Sequence, residues 1–413
     1  MTSIKAIRAK IAWRAAAPSI LLVVNSFVWY IFTYTLFVEI VDGLNVVETE
    51  KMLAYAIYYA SVAVSAIIGS KFISRIQVPA LSLWLFMGAI ATLSLTAISS
   101  GSTLTNVALA LFLGASVGIG LPSCLSYFAD SAAIENRGFI GGIIWSIVGF
   151  TVLILAFLTT IAGQWEIIAV LTIWRCLGCI GFIVLSRGHK TLSPQKSLSY
   201  FEIMRKREIL LYLFPWVMFC IINFAETPIL NQVFIEDFAL MSISEYAIIG
   251  FVATIAGFFA DRVGRKRIVI AGFIMLGIEY AALSVFSDTA ALYLYFILDG
   301  ITWGFLVSVF FIAIWGDLGE NYDKEKYYTL GGLPFLLAGF LPILIEWLVR
   351  LGGGDLAGLA GLAPAAFSLA SFFLFLAVLP LMYAPETLPE KKMRERELKG
   401  YLEKAKKEAA KYS

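Results

Sequence analysis

The sequence contains few of the residues that enzymes use for chemistry. It has one histidine, His189, and four cysteines, and Asp, Glu, Lys and Arg together make up 15% of its 413 residues. All four cysteines fall in apolar stretches, which argues against disulfides and against a redox role for Cys176 and Cys179. No glycine-rich phosphate loop follows a strand pattern, and no His or Cys cluster has metal-ligand spacing. The sequence therefore predicts no enzyme activity, no cofactor and no metal site.

Hydrophobic residues make up 60% of the chain, more than a soluble domain can bury. Many apolar stretches reach about 20 residues, the length that crosses a hydrocarbon core of roughly 30 Å. The net charge of +2 gives no reason to expect nucleic-acid binding. We therefore predict an all-α polytopic membrane protein that is monomeric in the lipid bilayer. Its twelve predicted spans lie near residues 16–41, 52–71, 79–99, 103–129, 138–162, 165–186, 209–235, 239–260, 268–287, 289–316, 328–350 and 363–384.

The distribution of lysine and arginine predicts the orientation of these spans. If the N-terminus is inside, all but three of the 31 bases fall on the inner side. Lys51 and Arg350 then lie outside, and Arg175 lies within predicted span 6. Because cytoplasmic loops carry an excess of bases, we expect a cell-membrane protein with both termini in the cytoplasm. The basic lead-in, residues 1–14, has no cleavage site and is not expected to be a signal peptide.

A polar central loop, residues 187–208, divides the chain into two sets of six spans. We predict an N-terminal six-helix bundle over 1–186, a C-terminal bundle over 209–384, and a cytoplasmic tail over 385–413. The tail has Glu and Lys three and four residues apart, as in an amphipathic helix. Weak echoes between the halves indicate an internal repeat, such as Phe37-Val38-Glu39 against Phe224-Ala225-Glu226.

One loop between two long apolar runs carries a specific motif. It reads Gly257-Phe258-Phe259-Ala260-Asp261-Arg262-Val263-Gly264-Arg265-Lys266. This order of glycines, acid and bases resembles the signature loop of the major facilitator superfamily of secondary transporters, of prokaryotic type. The resemblance implies twelve helices in two pseudo-symmetric six-helix bundles that work by alternating access. It also implies that spans 1, 4, 7 and 10 line the central cavity.

The same resemblance implies that this loop holds the cytoplasmic gate shut. We expect Asp261 to meet the N-terminus of span 5, where Arg137 lies and the helix dipole favours an anion. Arg262 and Arg265 are expected to pair with Asp317 at the end of span 10. The candidate gating residues are Gly257, Asp261, Arg262, Gly264, Arg265, Lys266, Asp317, Asp130, Arg137 and Arg75.

The corresponding loop of the first half departs from the motif. Ile73 stands where the aspartate is expected, so the matching clamp against span 11 is in doubt. Asp130 with Arg75 remains as a candidate remnant of that clamp. The start of span 5 lacks the Gly-Pro pair that is typical of many drug antiporters, which lowers that interpretation without excluding it.

Asp299 is the clearest candidate for solute or proton binding. It lies about 10 residues into predicted span 10, near mid-bilayer depth. Tyr295 and Trp303 flank it at four-residue spacing, so the three share one helical face. A carboxyl group there can bind and release a proton, because dry surroundings favour its neutral form, or it can pair with a cationic solute. The alternative is a helix–helix hydrogen bond made by a neutral acid.

Other polar residues within the spans are weaker candidates. Glu226, which is close to Pro228, lies nearer the outer end of span 7, and Glu39 lies nearer the outer end of span 1. Both are candidates for guarding the outer mouth or relaying protons. The alternative is that they are simple interfacial acids. Asn223 shares a face with Glu226, and Asn25 shares one with Trp29. An amide beside aromatic surface suits hydrogen bonding to a polar or amphipathic ligand, but helix packing explains the two asparagines almost as well.

Arg175 is the one base placed inside a span, and the resemblance makes span 6 peripheral. We therefore expect a structural pairing for it rather than contact with solute. Since the helices expected to line the cavity offer no base, a neutral or cationic solute fits better than a strong anion.

Together these features predict a secondary active transporter for a small organic solute, such as a sugar or metabolite, coupled to protons or another ion. A proton-coupled multidrug or metabolite exporter is the first alternative. A receptor or lipid-handling protein on the same scaffold is an alternative of another class.

Overall fold

The computed structural model describes residues 13–72, 77–99, 101–187, 196–234, 238–286 and 288–388. Within these residues, twelve helical segments are long and apolar enough to cross a membrane. Each predicted span has one observed counterpart, which confirms the prediction of an all-α polytopic membrane protein. In chain order, spans 1 to 12 are Trp13–Asp42, Glu48–Phe72, Val78–Ala97, Thr103–Ser131, Ile134–Thr159, Gln164–Leu185, Arg207–Val233, Ile243–Val263, Arg265–Val285, Thr289–Leu318, Lys324–Leu351 and Leu356–Tyr383.

The outer surface of the helices carries large apolar side chains. Phe157, Phe251 and Phe372 are 60–68% exposed. Such a surface is unfavourable in water, because apolar area costs about 25 cal/mol per Å² to hydrate. In a bilayer the same side chains contact lipid, and the helices satisfy their backbone hydrogen bonds internally. The chain is thus a multi-pass membrane protein.

The packing of the helices repeats after six spans. Span 2 packs along span 4, and spans 1 and 3 pack along span 6. The same neighbours recur in the second half, where span 8 packs along span 10 and spans 7 and 9 pack along span 12. The halves meet where span 5 packs on span 8 and span 11 packs on span 2. This recurrence gives two pseudo-symmetric six-helix bundles.

Glycines bring spans 5 and 8 into backbone contact. A Cβ on Gly257 would lie 2.0 Å from the carbonyl oxygen of Gly138, and one on Gly142 would lie 2.3 Å from that of Ala253. Small residues allow this close approach, which larger side chains would prevent. We call the end of the bundles that carries the Gly257–Lys266 loop the motif end.

Spans 7, 10 and 11 depart from regular α-helix, and span 4 is interrupted at Ile119 and Gly120. Span 7 is interrupted at Glu226, just before Pro228, and span 11 is interrupted at Gly339. Span 10 adopts π-type hydrogen bonding over Leu306–Ile314. Proline cannot donate a backbone hydrogen bond, and short π segments recur at functional sites. Spans 7, 10 and 11 are therefore irregular at places where the two halves face each other.

The described part of the central loop contacts both halves. A short helix, Tyr200–Met204, begins with a capping box between Ser199 and Glu202. The Tyr200 hydroxyl is 2.6 Å from that of Ser70 in span 2. The amide of Asp323, just before span 11, donates to the carbonyl of Lys196 over 3.1 Å. His189, Arg75, the start of the lead-in and the tail from residue 389 lie outside the described residues.

Candidate functional site

A cavity of about 360 Å³ lies between the two halves. This volume falls within the range of small-molecule pockets, which is roughly 300–1,000 Å³. The N-terminal half lines it mainly with rings, those of Phe27, Tyr30, Tyr34 and Trp145. The C-terminal half supplies the acids. Five of the predicted site residues line this cavity: Asp299, Glu226, Asn223, Tyr295 and Trp303.

Tyr295 joins two of the cavity carboxyls. Its hydroxyl lies 3.1 Å from Glu226 Oε1 and 3.3 Å from Asp299 Oδ2, and all three side chains are buried. A tyrosine hydroxyl has one proton to donate. Both contacts are therefore fully satisfied only when one of the carboxyls is protonated and donates to the tyrosine oxygen. This arrangement favours a site that carries a proton.

Several polar atoms at the cavity have no hydrogen-bond partner among the described residues. They are Glu226 Oε2, Asp299 Oδ1 and Asn223 Oδ1, all shielded by neighbouring atoms. A buried polar group left unpaired costs about 1–3 kcal/mol, and more when it is charged. Acceptors of this kind, beside a cavity of ligand size, are suited to a bound cation, a hydroxyl group or a proton.

Sequence reasoning missed two further acids, Glu245 in span 8 and Glu279 in span 9. Glu245 lines the cavity and lies beside Asp299. Glu279 lies behind the cavity wall, close to the same carboxyls. Both acids lie within predicted spans, but the family resemblance places spans 1, 4, 7 and 10, and not spans 8 and 9, at the cavity. Among the described residues, the cavity lining contains three acids and no Lys, Arg or His.

Asn25 and Trp29 face away from this cavity and surround Arg175. The guanidinium of Arg175 lies between the rings of Trp29 and Trp84, 4.3 and 4.5 Å from their centroids. It donates to Asn25 Oδ1 and to Ser26 Oγ, both over 2.9 Å. Stacking on aromatic faces stabilises a cation by about 0.5–2 kcal/mol. The cluster fastens span 6 to spans 1 and 3.

Glu39 lies in a second, larger cavity of about 670 Å³, which opens at the end opposite to the motif end. Its lining also holds three other acids and two bases, namely Asp42, Glu48, Glu346, Lys51 and Arg350. Tyr34 and Gly339 line both cavities, and the Tyr34 hydroxyl donates to the Gly339 carbonyl over 3.3 Å. We call the larger cavity the vestibule. A thin layer of residues separates it from the inner cavity.

The motif end is closed by buried ion pairs between the halves. Arg137 of span 5 donates to Asp317 Oδ1 over 2.5 Å and to Glu320 over 2.8 Å. Arg265 pairs with the other oxygen of Asp317. Lys324 of span 11 donates to Asp130 of span 4 over 2.6 Å.

Asp261 caps the N-terminus of span 5, as the sequence led us to expect. Its two oxygens accept from the amides of Gly138 and Phe139, over 3.0 and 2.7 Å. Free amides and the helix dipole favour an anion at this position. Arg265 also bonds to Asp261, over 3.3 Å, and to the carbonyl of Ile134 in the other half. The loop thus contacts the N-terminal half through side chain and backbone.

One expectation at this end requires correction. The second base at Asp317 is Arg137 and not Arg262, whose exposed guanidinium lies over the ring of Phe258 at 3.8 Å. Arg262 points outward because it is three residues from Arg265 across a turn. That turn is made by Gly264, whose φ of +110° is a backbone conformation that favours glycine. Asp130 pairs with Lys324 of the other half.

Glu386 is a partner of the loop that sequence reasoning overlooked. Its carboxylate accepts from the amides of Arg265 and Lys266, over 2.9 and 3.2 Å. The next residue, Thr387, donates to Asp317 Oδ2 over 3.0 Å. The Lys266 ammonium donates to the carbonyls of Met382 and Ala384. The segment after span 12 is therefore part of the closed motif end.

A comparison with protein-family profiles matches residues 19–333 to the Major Facilitator Superfamily. This is most of the chain. The chain belongs to the Major Facilitator Superfamily. Members of this superfamily are transporters, so the chain is a membrane transporter and not an enzyme, as the sequence predicted. No curated protein matches the chain in sequence.

Solved structures of the superfamily share the fold at low sequence identity. The human organic anion transporter MFSD10 (TETRAN) superposes with a TM-score of 0.68 at 14% identity, over 89% of this chain and 99% of that one. The Escherichia coli fucose:proton symporter FucP (N162A) gives 0.65 at 8%, over 91% and 98%. The proton:xylose symporter XylE, bound to 6-bromo-6-deoxy-D-glucose, gives 0.60 at 14%, over 91% and 95%.

Proposed function

We propose that this transporter is a secondary active carrier that moves a small cationic or neutral organic solute by alternating access, coupled to protons. The observation that carries the proposal is the inner cavity. It has acids on one wall and rings on the other, and no base lines it in the part of the chain that the structure describes. An amphipathic cation would place its charge against Asp299, Glu226 and Glu245, and its apolar body against the rings of spans 1 and 5. Cation–π contact with these rings would add to that binding.

The closed motif end and the open vestibule support alternating access. Ion pairs and a capped helix hold the halves together on one side of the cavity. On the other side, only the layer with Tyr34 and Gly339 separates the cavity from the vestibule. Superfamily carriers rock their halves around a site near the midplane. We infer that the motif end is cytoplasmic, because the loops at this end carry most of the bases.

Coupling to protons is supported by the shared contact at Tyr295 and by the unpaired carboxyl oxygens. Two of the similar structures are proton:sugar symporters by description, so a neutral sugar remains the second solute class. An exchange of cation for proton is favoured over co-transport, because both would occupy the same carboxyls. The exporter interpretation is therefore the stronger of the two alternatives within the class.

The solute class can be tested with three probes that share a phenyl ring but differ in charge. These are phenethylammonium, 2-phenylethanol and 3-phenylpropionate. Trp145 and Trp303 line the cavity, so their fluorescence reports binding. We expect the ammonium to bind most tightly and the carboxylate least. Tightest binding of the carboxylate would contradict the proposal. Counterflow of radiolabelled phenethylammonium in proteoliposomes then separates a carrier from a receptor, which binds without exchange.

A further inference from the structure

Glu279 in span 9 is a buried acid that the proposed site does not use. Its side chain is 1% exposed, and among the described residues no N–H group and no hydroxyl donates to either carboxyl oxygen. It does not line the cavity. The charged groups facing it are Asp299 of span 10, Glu226 of span 7 and Glu245 of span 8. Span 12 contributes the ring of Phe367, which packs against Tyr280, and the hydroxyl of Ser371, which donates to the carbonyl of Gly277 over 2.7 Å.

A second unpaired group points into the same place. The hydroxyl of Tyr280, the residue after Glu279, is fully buried and makes no well-formed hydrogen bond among the described residues, although it interacts with the carboxyl of Glu226. It lies close to the carboxyls of Glu226, Asp299 and Glu279. A buried tyrosine hydroxyl normally finds a partner. Here it is positioned to donate to a carboxylate that forms in the cluster.

Electrostatics decide the charge of Glu279. Taking an ionised carboxylate out of water without a partner costs several kcal/mol, and three neighbouring acids make ionisation still less favourable. No Lys, Arg or His faces Glu279 among the described residues. These effects favour the neutral form of Glu279, whose carboxyl lies next to that of Asp299. Two adjacent carboxyls typically hold one proton between them, since both cannot ionise.

We propose that Glu279 and Asp299 share the coupling proton behind the cavity wall, so that proton and solute occupy opposite sides of Asp299. This inference rests on the proposed function. The O–H bond of Glu279 breaks as one forms on the Asp299 carboxylate, the negative charge moves to Glu279, and the Tyr280 hydroxyl donates to it. A cation in the cavity holds Asp299 ionised and displaces the shared proton from the pair. When the cation leaves, the pair takes up a proton again, which gives the exchange of cation for proton proposed above.

The first test needs no solute. Infrared spectra of purified protein at neutral pH report the C=O stretch of neutral buried carboxyls. We expect such a band in the wild type, a loss of part of its intensity in Glu279→Gln, and a shift in Asp299→Asn, because the carboxyl group next to Glu279 changes. Glu166→Gln is the matched control, since Glu166 is exposed at the start of span 6. An unchanged band in Glu279→Gln or in Asp299→Asn would overturn the proposal.

Folding is checked by size-exclusion chromatography and circular dichroism. If Glu279→Gln does not fold, Glu279→Asp replaces it, and the band should then move to a new frequency. An unmoved band in Glu279→Asp would equally overturn the proposal. These spectra do not depend on transport, so they stand even if no probe is carried and the proposed function fails.

The second test separates coupling from solute binding. Phenethylammonium counterflow needs no net proton movement, whereas accumulation driven by a pH gradient does. We expect Glu279→Gln to retain counterflow and to lose accumulation, and Glu166→Gln to retain both. Parallel loss of the two activities in a folded Glu279→Gln protein would assign Glu279 a structural role and overturn the proposal. Retention of both would overturn it as well.

Discussion

The guanidinium of Arg137 and the carboxylate of Asp317 form a buried ion pair across the two halves of the transporter. Their Nη1 and Oδ1 atoms are 2.5 Å apart, and both side chains are almost fully shielded from solvent. Asp317 also holds Arg265 on its second oxygen. One carboxylate thus neutralises two arginines, one from each half, and it does so only while the motif end is closed.

We expect Asp317→Asn to open the motif end. Removing one partner of a buried ion pair costs about 3–5 kcal/mol, because the remaining charges stay buried. The change therefore shifts the equilibrium away from the closed state. A cysteine at Gly332, introduced as Gly332→Cys without native cysteines, lies buried near the other half and reports this opening through its alkylation rate. The rate should rise in Asp317→Asn and stay unchanged in the exposed control Glu208→Gln.

Gly257→Ala tests the backbone contact between spans 5 and 8. The new Cβ would lie 2.0 Å from the Gly138 carbonyl oxygen, so the halves must move apart. Overpacking of this kind costs about 1–3 kcal/mol. We expect a lower melting temperature and slower transport. Gly332→Ala is the matched control, because a Cβ there meets nothing within 4 Å. Equal behaviour of the two variants would contradict the importance of this contact.

Asp299→Asn keeps the size of the side chain and an oxygen that can accept from Tyr295. It removes the negative charge, so phenethylammonium should bind at least about tenfold more weakly, since hydrogen bonds to charged groups are worth about 1.5–3 kcal/mol. Binding of 2-phenylethanol should not change. Uptake driven by a pH gradient should be lost. If pH-driven uptake and solute exchange both persist unchanged, Asp299 is not the coupling acid.

Arg175→Lys tests whether the N-terminal cluster is structural. A lysine cannot lie flat between the Trp29 and Trp84 rings while it donates to Asn25 and Ser26 in the geometry of a guanidinium. We expect a loss of about 1–3 kcal/mol of stability, the sum of weakened stacking and hydrogen bonds. This would lower the melting temperature. Probe binding should be unchanged, and a selective loss of binding with an unchanged melting temperature would refute the structural role.

The fold could be predicted because the length and hydropathy of apolar stretches indicate membrane spans. In addition, the glycines, acid and bases of the Gly257–Lys266 loop have the spacing of the superfamily's signature loop. The site could be predicted only in part. Asp299, Tyr295 and Trp303 share a face at four-residue spacing, and that local geometry holds in the structure. Glu245 and Glu279 were missed because the position of a span in the chain order does not show which of its side chains face the centre of the protein.

Other features depend on contacts that no spacing reveals. Asn25 lies at the right depth for solute binding, but Arg175, 150 positions away, occupies its amide oxygen. Likewise, the turn at Gly264 decides which arginine reaches Asp317, and the sequence alone shows both within four residues of each other. The partners of these polar residues are therefore decided by contacts between residues far apart in the sequence, which local sequence patterns do not show.

The π-type segment of span 10 lies between Trp303 and Trp315. A π-helix holds more residues in each turn than an α-helix does, so it changes the angular phase between the stretches it joins. With this winding, Asp299 faces the inner cavity while Asp317 faces the arginines. A uniformly α-helical span of the same length would rotate one carboxylate away from its place. The π-type hydrogen bonding of these nine residues thus allows one helix to place Asp299 at the inner cavity and Asp317 in the ion pairs of the motif end.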